Sequence, residues 1–317
     1  VLEEVEHWLS RRSWSAADRP LDRLAAAKRA SGASVSVVLP ALDEQETVGA
    51  IVAEIRRELV ERTPLIDELV VIDSGSSDRT AEVAREAGAK VVHRDEILPR
   101  IAPLPGKGEV LWRSLLVTSG DIVAFVDADL KEFSADFVSG IVGPLLTDPD
   151  VAFVKAMYDR PLGEASGQGG RVTELMARPL LNMHWPLLAG FVQPLGGEYA
   201  ARRSLLERLP FPVGYGVELG LLVDALHTVG LDALAQVDVG VRKHRHQDGQ
   251  ALGRMAAAIY RTAQVRLARG HLVRPELTQF ERGERDGQGF VPRTYAVDTE
   301  ERPPMAGIAE YAHRRVA

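Results

Sequence analysis

Cysteine is absent from the 317 residues, which removes disulfides, thiolate metal sites and cysteine nucleophiles together. A disulfide-dependent secreted domain is therefore excluded. Aromatic residues are scarce at 6%, and cations are outnumbered, 38 Lys and Arg against 45 Asp and Glu, for a net charge of −7. That balance lacks the footprint of a broad nucleic-acid surface, although a local basic pocket for a small anion stays open. Long hydrophobic runs are lacking too. The most apolar stretch, residues 179–197, is broken by three prolines and by Asn182, His184 and Gln193, so no membrane-spanning helix is expected. The opening VLEEVEHWLSRRSW has no continuous apolar segment, which predicts no signal peptide and a cytoplasmic protein. What is present is a globular mixture, 45% hydrophobic and 26% charged, of a length for one large α/β domain or two ordinary ones.

The pattern along the chain predicts that layout. Residues 1–30 read as helix. Val35–Leu39, Glu68–Ile72, Ala89–His93 and Asp121–Val126 read as strands, because each is a short apolar or β-branched run. Between them, Val48, Ile51, Val52, Ile55 and Leu59 share one helical face, with Asp43 and Glu46 as a capping box, and Asp78–Ala87 forms a second helix. Strands alternating with helices predict a parallel sheet covered on both faces. Further on, Val151–Met157 reads as a strand and 171–182, 216–229 and 251–269 as helices. From about residue 281 the Gly, Arg, Glu and Pro content predicts an extended tail. The expected organisation is a helical segment at 1–33, one half at 34–155, a second at 156–250, and a C-terminal helix with tail at 251–317.

Three polar loops fall at carboxyl ends of parallel strands, where open α/β sheets bind ligands. They are Pro40-Ala41-Leu42-Asp43-Glu44, Asp73-Ser74-Gly75-Ser76-Ser77-Asp78 and Asp127-Ala128-Asp129. Any one of them is explained by turn chemistry alone. Three on one rim point to a site. Neither G-x-G-x-x-G nor a P-loop lysine follows the first strand, which removes the main support for dehydrogenase and ATPase readings. Asp127 and Asp129, at the tip of the apolar strand IVAFV, suit a hard cation such as Mg²⁺ or Mn²⁺ held against a diphosphate. Two solvated turn aspartates remain the plainer alternative.

The series VSVVLPALDEQETV, ELVVIDSGSSDRT and DIVAFVDADL resembles GT-A nucleotide-sugar glycosyltransferases. With PGKGEVLWRSL, GGRVTELMARPLL, QPLGGEYAARRSLL, GYGVELGLLVD and GVRKHRH, the chain from about residue 5 to 280 is similar to the glucosyl-3-phosphoglycerate synthases, relatives of the mannosyl-3-phosphoglycerate synthases. The resemblance implies a GT-A fold, with a C-terminal acceptor-binding and helical region. It implies retaining transfer of a hexose from a sugar nucleotide to the 2-hydroxyl of 3-phosphoglycerate, with Mg²⁺ or Mn²⁺. On this resemblance Pro40, Ala41, Leu42 and Glu44 frame the base and ribose, and Ser74 reaches the base. Lys107 meets the pyrophosphate or sugar, and Asp127, Ala128 and Asp129 lie at the ribose and metal. Asp129 is the direct metal ligand and His244 completes the sphere, although the run 242–246 on its own reads as a solvated basic face.

For the acceptor, Gly170, Arg171 and Thr173 offer a glycine turn at a helix start, a guanidinium and a hydroxyl to a phosphate. The resemblance also implies that Leu195, Gly196, Tyr215 and His246 border the sugar and acceptor, and His246 departs from the asparagine that the family has there. Lys107, Asp127 and Glu218 are the catalytic candidates; Glu198 and Glu218 read equally as buried salt-bridge members. A homodimer is expected through the Ala-rich helix at 251–269. The alternatives are a GDP-mannose-dependent synthase of the same fold, a sugar-phosphate nucleotidyltransferase, and a non-catalytic sugar-binding protein. The nucleotidyltransferase is disfavoured because PALDEQE stands where its Gly-rich phosphate loop belongs.

Overall fold

The computed structural model describes residues 2–159, 170–242, 249–267, 276–282, 290–296 and 299–314. Its central sheet is built from β1 (Ser13–Ser15), β2 (Val35–Ala41), β3 (Glu68–Asp73), β4 (Lys90–His93), β5 (Ile122–Phe125), β6 (Phe153–Asp159), β7 (Tyr199–Arg202) and β9 (Leu234–Val241). The strand order is β1-β9-β6-β7-β5-β2-β3-β4, and only β7 runs antiparallel to its neighbours. The short β8 (Phe211–Pro212) lies outside this sheet, as do β10 (Glu276–Arg282), β11 (Phe290–Ala296) and β12 (Glu301–Arg302). The expected mostly parallel sheet with helices on both faces is the architecture observed.

Alternation along the strands explains why both faces are covered. In β2, Val35, Val37 and Leu39 join one core and Val38 the other, so the strand is largely apolar, with the buried Ser36 as its polar member. The first core is closed by α2 (Leu21–Ser31), α3 (Val48–Arg56), α4 (Thr80–Glu86) and α6 (Asp136–Thr147). The second is closed by α1 (Glu3–Arg12), α5 (Lys107–Val117), α7 (Arg178–His184), α8 (Arg203–Leu206), α9 (Val217–Val229) and α10 (Gly249–Leu267), with α11 (Ala309–Arg314) at the end of the chain. No helix among the described residues is long and apolar enough to cross a membrane.

Four local expectations are corrected. Residues 1–33 are not wholly helical, because β1 pairs with β9 and forms one edge of the sheet. A boundary at 155/156 falls inside β6, and one sheet runs through both proposed halves. Asp43 does not cap α3. It sits in the left-handed region at φ 56° and accepts the Ser77 N–H at 2.8 Å, which ties the loops after β2 and β3 together. The described C-terminal residues are not an extended tail. β10 and β11 pair antiparallel, and Met305, Ile308 and Tyr311 are buried in the second core.

Candidate active site

The chain moves outward from β2 to β3 and β4, then returns to the other side of β2 as β5. Such a reversal splays the loops at the strand ends and opens a crevice. A cavity of about 950 Å³ occupies that position. It is lined by Pro40, Ala41, Leu42 and Glu44 after β2, Ser74 after β3, Lys107 at the start of α5, and Asp127, Ala128 and Asp129 after β5. The lining also has Gly170, Arg171 and Thr173 at one helix start, Leu195 before β7, and Tyr215 and Glu218 around the start of α9. Gly170 has φ 77° and its carbonyl accepts from the Glu174 N–H, so the expected glycine turn opens directly into a helix. Gly196 is the exception among the described candidates. It is buried behind the wall, and Gly197 faces the cavity in its place. His244 and His246 lie outside the described residues.

The floor of the cavity is a network of opposite charges. Lys107 Nζ contacts the Asp127 carboxylate and lies 2.8 Å from Glu218 Oε1. Arg242 donates from Nη2 to Asp127 Oδ2 at 2.7 Å and from Nε to Glu198 Oε1 at 3.1 Å. Burial works against the Lys107 ammonium, but Asp127 and Glu218 together raise its pKa well above the usual lysine value. Arg242 is raised in the same way against burial, by Glu198, Tyr158 and both aspartates. Both cations therefore stay charged.

Asp129 differs. Burial first, and the Asp127 charge second, push its carboxyl pKa up, more than Arg242 and Lys107 pull it down. Its Oδ1 is buried without a hydrogen-bond partner, and Arg242 Nη2 stands 3.5 Å away. A buried carboxylate oxygen that lines the cavity without a hydrogen bond, destabilised as an anion, fits a hard divalent cation. No cluster of three metal-ligating side chains occurs among the described residues, and His244 lies beyond them. Around the cavity, Arg94, Lys107, Arg171 and Arg242 balance Glu44, Asp127, Asp129 and Glu218 among the described lining residues.

Comparison with known proteins decides the family. The family model for glycosyl transferase family 2 matches residues 36–191. A glucosyl-3-phosphoglycerate synthase of Mycolicibacterium paratuberculosis is 48% identical over 95% of this chain and 92% of its own. The chain belongs to the glucosyl-3-phosphoglycerate synthase family. Among solved structures of similar proteins is the Mycobacterium tuberculosis glucosyl-3-phosphoglycerate synthase in complex with Mn²⁺, UDP-glucose and phosphoglyceric acid. It has a TM-score of 0.80 and 45% identity, covering 90% of this chain and 94% of that one. The mannosyl-3-phosphoglycerate synthase of Rubrobacter xylanophilus has a TM-score of 0.87 and 41% identity, covering 95% and 97%. The chain is accordingly a hexosyltransferase of GT-A architecture.

Two buried cations, one lining the cavity and one behind it, have no counterpart among the sequence-predicted candidates. The run 242–246 reads as a solvated basic face, yet Arg242 is only 4% exposed, donates to Asp127 and Glu198 and stands 3.5 Å from Asp129. Lys155, on β6, is 1% exposed and donates to the Gly196 carbonyl at 2.8 Å, with its ammonium 4.7 Å from the centre of the Tyr199 ring. Burial lowers its pKa to about 8 despite Glu218 and Glu198 nearby. A lysine inside the apolar run FVKAM was the available signal.

Proposed function

We propose that this chain transfers glucose from UDP-glucose to the 2-hydroxyl of 3-phosphoglycerate, with retention at the anomeric carbon. The observation that carries the reading is one cavity with anion-ready groups in its lining. Lys107, Arg242 and an Asp129 oxygen that has no hydrogen bond line it together with Arg171 and the Gly170 helix start. Its volume of about 950 Å³ suits a nucleotide sugar together with a three-carbon acceptor. The names of the relatives and the ligands of the M. tuberculosis complex support the same donor and acceptor.

Asp129, with His244, would hold the divalent ion, which supplies charge neutralisation to the diphosphate leaving group. Lys107 and Arg242 add fixed cations to that end, so negative charge grows on the departing oxygen where the field already favours it. The C1–oxygen bond to UDP breaks, and the acceptor 2-hydroxyl attacks C1 from the same face. Its proton passes to the departing phosphate. Glu218 is the carboxylate that double displacement would need, and its engagement by Lys107 supports same-face attack instead. Arg171 and Thr173 hold the acceptor phosphate and fix the hydroxyl for that attack.

A GDP-mannose donor is the second reading, favoured by likeness to the R. xylanophilus mannosyl enzyme. The test is nucleoside diphosphate release from UDP-glucose, GDP-glucose and GDP-mannose, each with and without 3-phosphoglycerate. Release that depends on 3-phosphoglycerate and is fastest with UDP-glucose supports the proposal; preference for GDP-mannose overturns the donor assignment. The reading includes a homodimer through α10, which leaves Tyr260 and Val265 exposed. A monomer mass by light scattering at micromolar concentration contradicts that part alone.

A further inference from the structure

The two residues of β12 face opposite ways, as neighbours in a strand do, and each reaches a different helix. Glu301 Oε1 lies 2.6 Å from Arg266 Nη2 on α10, and Arg266 also binds Asp224 on α9. Arg302 forks onto Glu109 of α5, with Nε to Oε2 at 2.6 Å and Nη2 to Oε1 at 2.8 Å. Glu109 is fully buried and lies two residues from Lys107, and its Oε1 also accepts from Arg113 at 2.7 Å. Burial raises the Glu109 pKa, but Arg302 and Arg113 together hold it below the usual range, so the carboxylate stays ionised and needs both partners.

The backbone repeats the connection. β12 pairs with β8, and the Val213 N–H donates to the Glu300 carbonyl. The Val213 carbonyl in turn accepts the Glu109 N–H at 3.2 Å. Gly106 and Gly108, on either side of Lys107, press against that strand. A methyl on them would stand 2.3 Å from the Val213 carbonyl oxygen and 1.8 Å from that of Pro212. Trp112 Nε1 donates to the Pro303 carbonyl at 2.9 Å, and Met305, Ile308 and Tyr311 anchor the segment in the core. Apolar anchoring fixes position along a helix loosely, whereas a bidentate pair and a strand ladder fix register.

We infer that residues 299–311 form a strap that sets the position of Lys107, with Arg302 as the positioning residue acting through Glu109. The inference rests on the assignment of Lys107 to the donor diphosphate. Arg302 itself touches no substrate; the strap holds the first turn of α5 so that the ammonium meets Asp127, Glu218 and the phosphates at one fixed place.

The test is a double-mutant cycle read by calorimetric binding of UDP with Mn²⁺, which needs no turnover. Arg302→Met is expected to weaken UDP affinity about tenfold, near the low end of the loss of one charge-assisted hydrogen bond. In a Lys107→Ala background the same change is expected to alter affinity by no more than about twofold, since the group it positions is gone. Arg302→Lys, which keeps the charge without the fork, falls between, and it carries the cycle if the methionine variant does not fold. Arg100→Met is the control. It removes the Arg100–Glu310 pair at the far end of the strap and is expected to lower Tm while leaving UDP affinity unchanged. An equal loss from Arg302→Met with and without Lys107 overturns the inference, as does no loss while Lys107→Ala weakens binding. If Lys107→Ala alone leaves UDP affinity intact, the diphosphate assignment fails first and the strap inference falls with it.

Discussion

Gly197 offers a sharp test of how tightly the site is built. A methyl group added there would stand 2.2 Å from Asp127 Oδ2 and 2.5 Å from both Cγ and Oδ1. Ordinary contact begins at 3.4 Å, so something must move by roughly 1 Å. Gly197 has no positive φ, so the perturbation is steric and not conformational. Asp127 cannot yield freely, because Lys107 holds one oxygen and Arg242 the other, at 2.7 Å. Overpacking of this kind costs about 1–3 kcal/mol in stability, and a misplacement of about 1 Å in a catalytic constellation costs about 10²-fold in rate. We therefore expect Gly197→Ala to lower kcat for glucose transfer by about 10²-fold while Tm falls by only a few degrees. Gly249→Ala, where an added methyl meets nothing within 4 Å, is the matched control. The assay is steady-state UDP release with both substrates saturating. A Gly197→Ala kcat within about threefold of wild type would refute the idea that Asp127 is held rigidly against this wall.

Three further outcomes follow from the same geometry. Asp129→Ala is expected to abolish turnover while circular dichroism shows an intact fold, and excess EDTA is expected to stop the wild type; full activity in either case contradicts the metal assignment. Arg171→Ala is expected to raise the KM for 3-phosphoglycerate by about 10- to 150-fold and to leave that for UDP-glucose nearly unchanged, as loss of a charge-assisted phosphate contact requires. Equal losses for both substrates would place the acceptor phosphate elsewhere. Lys155 has a folded-state pKa lowered by burial from 10.5 to about 8, so the penalty for its charge is complete below that pH and is relieved as pH rises toward the unfolded value. The Tm gap between wild type and Lys155→Met is thus expected to shift in favour of wild type between about pH 8 and 10, and a constant gap would count against the buried ammonium.

The parts of this molecule legible in its sequence are those where local pattern and tertiary environment agree. β2, β3 and β5 are buried on both faces, so each is an apolar run ending in the polar loop that builds the site. Arg242 was illegible for a specific reason. Alternation through Val237 and Val239 predicts residue 241 inside and 242 outside, yet Val241 is exposed and Arg242 buried. Gly240, at φ 93°, lies where the β6–β9 register slips between Met157 and Asp159, and this bulge turns the guanidinium inward. α6 carries Gly140, Gly143 and Pro144, residues that weaken a helical pattern in the sequence. Gly140 is needed there, since a methyl on it would stand 2.9 Å from Val239 on the sheet below. β7 is too short and too rich in alanine to announce itself; pairing on both sides, not propensity, makes it a strand. The strap was hidden by its composition, because Met305, Ile308 and Tyr311 are three anchors among glycine, proline and charge.

The central claim is the formation of one product from two anionic substrates in this cavity. Its most direct measurement is mass spectrometry and NMR of the product from UDP-glucose and 3-phosphoglycerate with Mn²⁺. The expected product is a hexosyl-phosphoglycerate whose glucose is α-linked to the 2-hydroxyl, formed in step with UDP release and absent in EDTA. Free glucose as the main product, a β-linkage, or attachment through the acceptor's phosphate or carboxylate would contradict the account.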